Sequence, residues 1–287
     1  MSAQGARRWK KLGIVAGAGD LPVVLAEHLR SEGAPYHVAR IAPFAAAALA
    51  AHPGEEAGLG RMGERFAALK AAGCDAVVLA GVVRRPDFAS LEFDARAIAM
   101  LPRVMAAAGG GDDALLRVLV EECEREGFRV VGAEEVLAAL IAPAGALGAV
   151  QPSARDRKDI AKAAAVAAAL GAWDVGQGAV VADGLVLALE AQEGTDLMLA
   201  RVAALPEALR GTAAARRGVL AKRPKPKQER RVDLPTIGLA TIENAARAGL
   251  AGVAVEAGGA LVMERAALIA RADALGLFVY GFDPEAP

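Results

Sequence analysis

The densest chemistry in this 287-residue sequence lies at residues 222–238, KRPKPKQERRVDLPTIG. Six cations, Lys222, Arg223, Lys225, Lys227, Arg230 and Arg231, stand in a ten-residue stretch whose only acid is Glu229. A basic segment stiffened by Pro224 and Pro226 can line a site for a pyrophosphate, and its cations would keep a carboxylate such as Asp233 ionised. The same composition also suits a solvated loop followed by a helix capped at Thr236. No aromatic residues interleave the charges, so no nucleic-acid partner is expected.

A second concentration is Glu190-Ala191-Gln192-Glu193-Gly194-Thr195-Asp196. Carboxylates this close can hold a hard cation such as Mg²⁺, and the same residues can start a helix with Thr195 or Asp196 as its cap. Upstream, Gly176-Gln177-Gly178 reads as a turn close to this loop. Near the N-terminus, Gly17-Ala18-Gly19-Asp20-Leu21-Pro22 follows an apolar run and offers a helix start to an anion. The third glycine of a dinucleotide fingerprint is replaced by Pro22, and Arg40-Ile41 stand where an acid would close the next strand. Gly81 to Phe88, GVVRRPDF, follows another apolar run and would place Arg84 and Arg85 beyond a strand end. Gly109 to Asp113, GGGDD, enters a helix for which Asp112 is a plausible N-cap, with both acids favourable to the helix dipole.

Strands at 12–16, 36–41, 75–80 and 128–131 alternate with helices at 21–29, 65–72, 112–126 and 134–141, a pattern that predicts a parallel α/β sheet. The Gly/Pro-rich PAGALGAVQP at 143–152 interrupts it and is the expected domain boundary. We therefore expect a Rossmann-like N-terminal domain over 1–145, a linker at 146–152 and a mixed α/β domain over 153–287. In the second domain a helix at 156–170 precedes a hairpin turning on Asp183-Gly184, and a second hairpin is expected around Gly258-Gly259.

A hydrophobic fraction of 55% with only 4% aromatics reflects Ala, Val and Leu, and a net charge of −1 gives no global attraction to polyanions. No apolar run approaches the roughly 20 residues of a spanning helix, and the opening MSAQGARRWKK lacks a signal-peptide core, so a cytoplasmic protein is expected. Cys74 and Cys123 are read as core residues, and His28, His37 and His52 show no metal-ligand spacing.

In this order, LGIVAGAGDLP, GVVRRPDF, GDDALL, GQGAVVADGLVLALEAQEGTD and KPKQERRVDLPTIG resemble the LpxI-type UDP-2,3-diacylglucosamine pyrophosphatases of lipid A biosynthesis. The resemblance covers residues 11–283. It implies Mg²⁺-dependent hydrolysis to UMP and 2,3-diacylglucosamine 1-phosphate (lipid X) by water attack on the sugar-side phosphorus. It also implies an active site at the interface of the two domains. Asp233 matches the family's essential aspartate. On matched positions, substrate binding would involve Gly17, Gly19, Asp20, Leu21, Pro22, Arg85, Asp112 and Asp113 in the first half. In the second half it would involve Gln177, Gln192, Gly194, Thr195, Asp196, Lys222, Lys225, Gln228, Arg231 and Thr236. Asp233, Glu190 and Glu193 are the candidate metal ligands. A homodimer, and transient contact with the cytosolic face of the inner membrane, are further expectations. The competing readings are an NADP-dependent oxidoreductase, motivated by GAGDLP and Arg40, and a non-catalytic sugar-nucleotide sensor.

Overall fold

The computed structural model describes residues 8–83, 91–109 and 111–285. The chain divides into two compact units, Met1–Ala138 and Ala139–Pro287.

In the first unit the wholly apolar segment Leu12–Ala16 forms β1. Such a run is suited to a central parallel strand covered on both faces. The chain continues through α1 (Leu21–Ser31), β2 (Tyr36–Ala42), β3 (Gly54–Gly58), α2 (Met62–Ala71) and β4 (Ala76–Ala80). It then forms α3 (Ala95–Ala108), α4 (Asp112–Arg125), β5 (Arg129–Val130) and α5 (Ala133–Val136). All five strands are parallel, in the order β3-β2-β1-β4-β5. The chain leaves β1 towards one side and returns through β4 on the other, so the carboxyl ends of β1 and β4 form a topological switch point.

One carboxylate ties two helix starts together. Asp94, the N-cap of α3, accepts from Ala97 N at 2.8 Å and also from Gly63 N at 2.6 Å and Glu64 N at 3.1 Å in the first turn of α2. Burial pushes its pKa up, but these backbone amides outweigh burial and hold it below the usual carboxylate range. Both cysteines are buried, and burial pushes Cys74 up to about 11 and Cys123 up to about 12, as inert core thiols require.

The second unit begins with β6 (Gly145–Ala146) and α6 (Ala154–Ala172), followed by β7 (Gly178–Ala182), β8 (Leu185–Leu189), α7 (Gly194–Ala203) and β9 (Val219–Lys222). Then come β10 (Thr236–Ile237), α8 (Leu239–Arg247), β11 (Gly252–Glu256), β12 (Leu261–Val262), α9 (Arg265–Ala274) and β13 (Phe278–Phe282). Six strands order as β6-β13-β11-β9-β7-β8, with β9, β11 and β13 parallel and β6, β7 and β8 antiparallel to their neighbours. Alternation sorts the strand residues between two cores. Val181, Val219 and Ala221 pack with Ile160, Ala163 and Ala167 of α6, whereas Val180, Leu220 and Val253 pack with Met198, Ile242 and Leu268 of α7, α8 and α9.

The hairpin at Asp183-Gly184 is present, with φ of 54° and 76°, and Asp159 of α6 braces it by accepting from both amides. The expected hairpin at Gly258-Gly259 is not. A tight turn does form, with Gly259 N donating to Glu256 O at 3.0 Å, but Ala257 N donates to Phe282 O and Gly258 N to Ala142 O, and the chain leaves the large sheet: β11 stays in it while β12 pairs in parallel with β10. The helix expected at 134–141 is only the four residues of α5 followed by a short 3₁₀ turn. The expected linker belongs to the second unit: β6 pairs with β13, Leu147 N donates to Val279 O at 2.9 Å, and Ala149 N donates to Asp273 at 2.9 Å. No described helix is long and apolar enough to cross a membrane.

Candidate active site

At the switch point of the first unit, Gly17 N donates to Ala80 O and Ala18 forms a two-way bridge with Val82. A Cβ on Gly17 would lie 2.8 Å from Val82 O, so this glycine serves close backbone packing. Gly19 is different. Its φ is +93° and nothing lies within 4 Å of where its Cβ would be, so it opens the loop above α1. Asp20 occupies the N-cap position without a side-chain cap bond, Leu21 begins the helix and Pro22 is buried in its first turn. Pro22 has no N–H, so the first-turn amides of α1 left to an anion are those of Leu21 and Val23. Asp112 and Asp113 lie in the first turn of α4, but the N-cap is Gly111 at φ 98°, and Asp113 pairs with Arg117 at 2.8 Å. Arg84 and Arg85 lie outside the described residues. Arg40 donates to the carbonyls of Leu49, His52 and Gly54, which removes the feature that suggested a 2′-phosphate partner.

In the second unit the carboxyl ends of β8, β9 and β11 share one sheet edge, because β7 runs against both β8 and β9. Chemistry gathers there. Glu190 follows β8, Lys222 ends β9 and Glu256 ends β11, and all three are buried. Lys222 Nζ donates to Thr195 Oγ1 at 2.6 Å, Thr195 donates to Glu190 Oε1 at 2.6 Å, and Lys222 stands 3.6 Å from Glu190. Gly176 and Gly178 make room for this glutamate: a Cβ on the first would meet Glu190 O at 2.0 Å, and one on the second Glu190 Oε2 at 2.5 Å.

Beside this triad, Gln228 is buried and connects three groups. Its carbonyl oxygen accepts from Lys225 N at 2.8 Å, and its amide nitrogen donates to Asp233 and reaches Gln177 Oε1 at 3.4 Å. Lys225 Nζ pairs with Asp174, and Arg231 forms a two-pronged pair with Glu229, both bonds at 2.8 Å. Arg223 pairs with Glu256 at 3.1 Å, and Arg230 stands 3.8 Å from the same carboxylate. The basic segment is thus bound to specific carboxylates, not simply solvated.

The structure redirects several expected residues. Glu193 is the N-cap residue of α7, so neither Thr195 nor Asp196 caps it; Glu193 pairs with Arg201, and local backbone bonding with that arginine lowers its pKa. Asp196 accepts from Asn244 of α8 at 2.6 Å. Gln192 is exposed, and Gly194 opens α7 at φ +77°. Thr236 lies in β10 with its hydroxyl on Leu234 O, and α8 starts after Gly238. Asp174 and Glu256 had no signal in the sequence, since each acquires its role through contacts 51 and 33 residues away.

A divalent cation needs several oxygen ligands. Among the described residues no group of three or more His, Cys, Asp or Glu could hold one. Glu190 and Glu193 are committed to Thr195 and Arg201. Asp233 sits half-buried beside the cations, and Mg²⁺ held by one carboxylate would take its remaining ligands from phosphate and water.

Residues 11–140 match the LpxI N-terminal domain and residues 143–280 the LpxI C-terminal domain. The chain is 56% identical over 276 residues to the UDP-2,3-diacylglucosamine pyrophosphatase LpxI of Caulobacter vibrioides, covering 96% of this chain and 99% of that protein. With both domain families matched in order and a relative this similar along almost its full length, the chain belongs to the LpxI family.

Proposed function

We propose that this protein hydrolyses the pyrophosphate bond of UDP-2,3-diacylglucosamine, releasing UMP and 2,3-diacylglucosamine 1-phosphate. The observation that carries the reading is the 56% identity to the Caulobacter enzyme across 96% of the chain. The residues present suit the chemistry. A phosphoanhydride is inert because its negative oxygens repel a nucleophile, so cations must offset that charge and a water must be positioned. Lys222 at the end of β9, with Lys225 and Arg231 in the loop that follows it, supplies the cations. Asp233, oriented by Gln228, accepts the proton of the attacking water or contributes a carboxylate to Mg²⁺. When bound, Mg²⁺ neutralises phosphate charge. In the loop from Gly17 to Pro22, the N–H groups of Gly19, Asp20 and Leu21 are suited to a phosphate of the nucleotide, those of Gly17 and Ala18 being used on Ala80 O and Val82 O.

The two acyl chains require an apolar surface. Trp173, 84% exposed, Val175, Leu189 and Leu197 are exposed around the triad. Gly176 touches the Glu190 backbone, and Arg201 of α7 donates to Leu189 O at 2.9 Å, which places these residues close together. They are suited to transient contact with a lipid surface.

The test is incubation with UDP-2,3-diacylglucosamine in ¹⁸O water, with and without a chelator. UMP release that stops on chelation, with label in the lipid phosphate, is the expected result. Label in UMP would refute attack at the sugar-side phosphorus, and full activity in excess chelator would refute the Mg²⁺ requirement.

A further inference from the structure

We propose that Glu190 is a positioning residue for the anhydride hydrolysis: through the hydroxyl of Thr195 it fixes the ammonium of Lys222 at the phosphate-facing sheet edge. This role rests on the hydrolase reading above. The hydroxyl of Thr195 has a single hydrogen, and Glu190 Oε1 accepts it at 2.6 Å. Its lone pairs are thereby turned to Lys222 Nζ, which donates at 2.6 Å. Lys222 and Glu190 form an ion pair at 3.6 Å, too long for a direct hydrogen bond, so the directional contact passes through the threonine.

Three further observations favour positioning over simple stabilisation. Glu190 and Lys222 are only 6% and 4% exposed, and a buried ion pair is a poor means of stabilising a fold because desolvation offsets its attraction. Glu190 Oε2 is buried without a hydrogen-bond partner, a cost that a stabilising carboxylate would avoid. Two glycines, 176 and 178, are required by the approach of this one residue. The commitment of Oε1 to Thr195, with Oε2 packed over Gly178, also argues against Glu190 as a metal ligand. An ammonium has three N–H donors, and one is used on Thr195, leaving others to meet phosphate oxygens.

The experiment is steady-state kinetics and thermal melting of Glu190→Met, Thr195→Val, Thr195→Ser and the Glu190→Met/Thr195→Val double variant, each at low and high Mg²⁺. Methionine keeps the length of the side chain but cannot accept the Thr195 hydrogen in the way the carboxylate does, whereas glutamine would keep an accepting oxygen. Glu190→Met is expected to lower kcat by about 10²-fold, as misplacement of a reacting group does, with KM within about threefold of wild type. Thr195→Val should match it, Thr195→Ser should recover most of that loss, and the double variant should be no worse than either single one. Wild-type kcat in Glu190→Met, losses that multiply in the double variant, or full restoration by added Mg²⁺ would each overturn the proposal. If Glu190→Met does not fold, the threonine pair decides alone: equal kcat for Val and Ser at position 195 overturns it. A wild-type enzyme that releases no UMP defeats the hydrolase reading and this role with it, whereas active wild type with indifferent variants defeats this role only.

Discussion

Gly178 and Glu190 are matched in shape: the glutamate carboxylate lies where a Cβ on residue 178 would sit, with Oε2 2.5 Å from that point. At Gly176 the corresponding neighbour is the Glu190 carbonyl oxygen, 2.0 Å away. A side-chain end can swing aside and a backbone carbonyl cannot. Gly178→Ala should therefore keep its melting temperature within a few degrees but lose at least tenfold in kcat. Gly176→Ala should lose about 1–3 kcal/mol of stability, the usual cost of overpacking. Denaturant unfolding and UMP release on the two variants check this, and equal stability losses would show that the carboxylate is as immobile as the backbone.

Asp233 accepts from Gln228, which also holds Lys225 N, so its carboxylate is aimed by a buried amide and not left on a free loop. Asp233→Asn should fold and bind substrate while kcat falls by about 10²–10⁴, the range for losing a general base. Equilibrium binding of the substrate beside single-turnover rates makes the comparison. Near-normal turnover would remove Asp233 from the reaction.

Asp94 should make the first unit sensitive to acid. Its pKa is depressed in the folded state, so its stabilising contribution is present above the unfolded carboxyl value of about 4 and is lost as pH falls through the lower folded value. Asp94→Ala should cost about 1–2 kcal/mol at pH 7, the upper range for a helix cap, because two helices lose a partner. Urea unfolding at pH 7 and near pH 2 should show that gap narrow in acid; a constant gap would assign the loss to packing.

Trp173 precedes Asp174, the partner of Lys225, and projects into solvent. Trp173→Ser should reduce sedimentation with phospholipid vesicles severalfold while leaving hydrolysis of a detergent-dispersed substrate within about twofold. Unchanged vesicle binding would move the lipid contact elsewhere.

The elements legible in the sequence were those with strong local signals. LGIVA is apolar throughout, and Asp183-Gly184 adopts the positive φ that its residues tolerate. The missed elements lack such signals. Strand β3 is GEEAG, an edge strand with no apolar run, and α3 carries Pro102 in its interior, which argues locally against a helix. The second hairpin failed because two glycines announce a turn without stating which strand receives the chain afterwards. In the site, the proximity of Glu190, Thr195 and Lys222 follows from hairpin and sheet register, whereas Glu193 and Asp196 turn to Arg201 and Asn244, choices made by helix packing.

The antiparallel pairing of Gly145–Ala146 with Tyr280–Gly281 has an architectural consequence. The first and last strands of the second unit are neighbours, so its two ends emerge side by side. Ends that lie together are the geometry that circular permutation, or insertion into a loop of a host protein, asks of a unit, because neither then stretches the chain. The whole Glu190–Thr195–Lys222 triad lies between those two paired strands, so a permuted chain with new ends in an exposed loop would keep it within one unit.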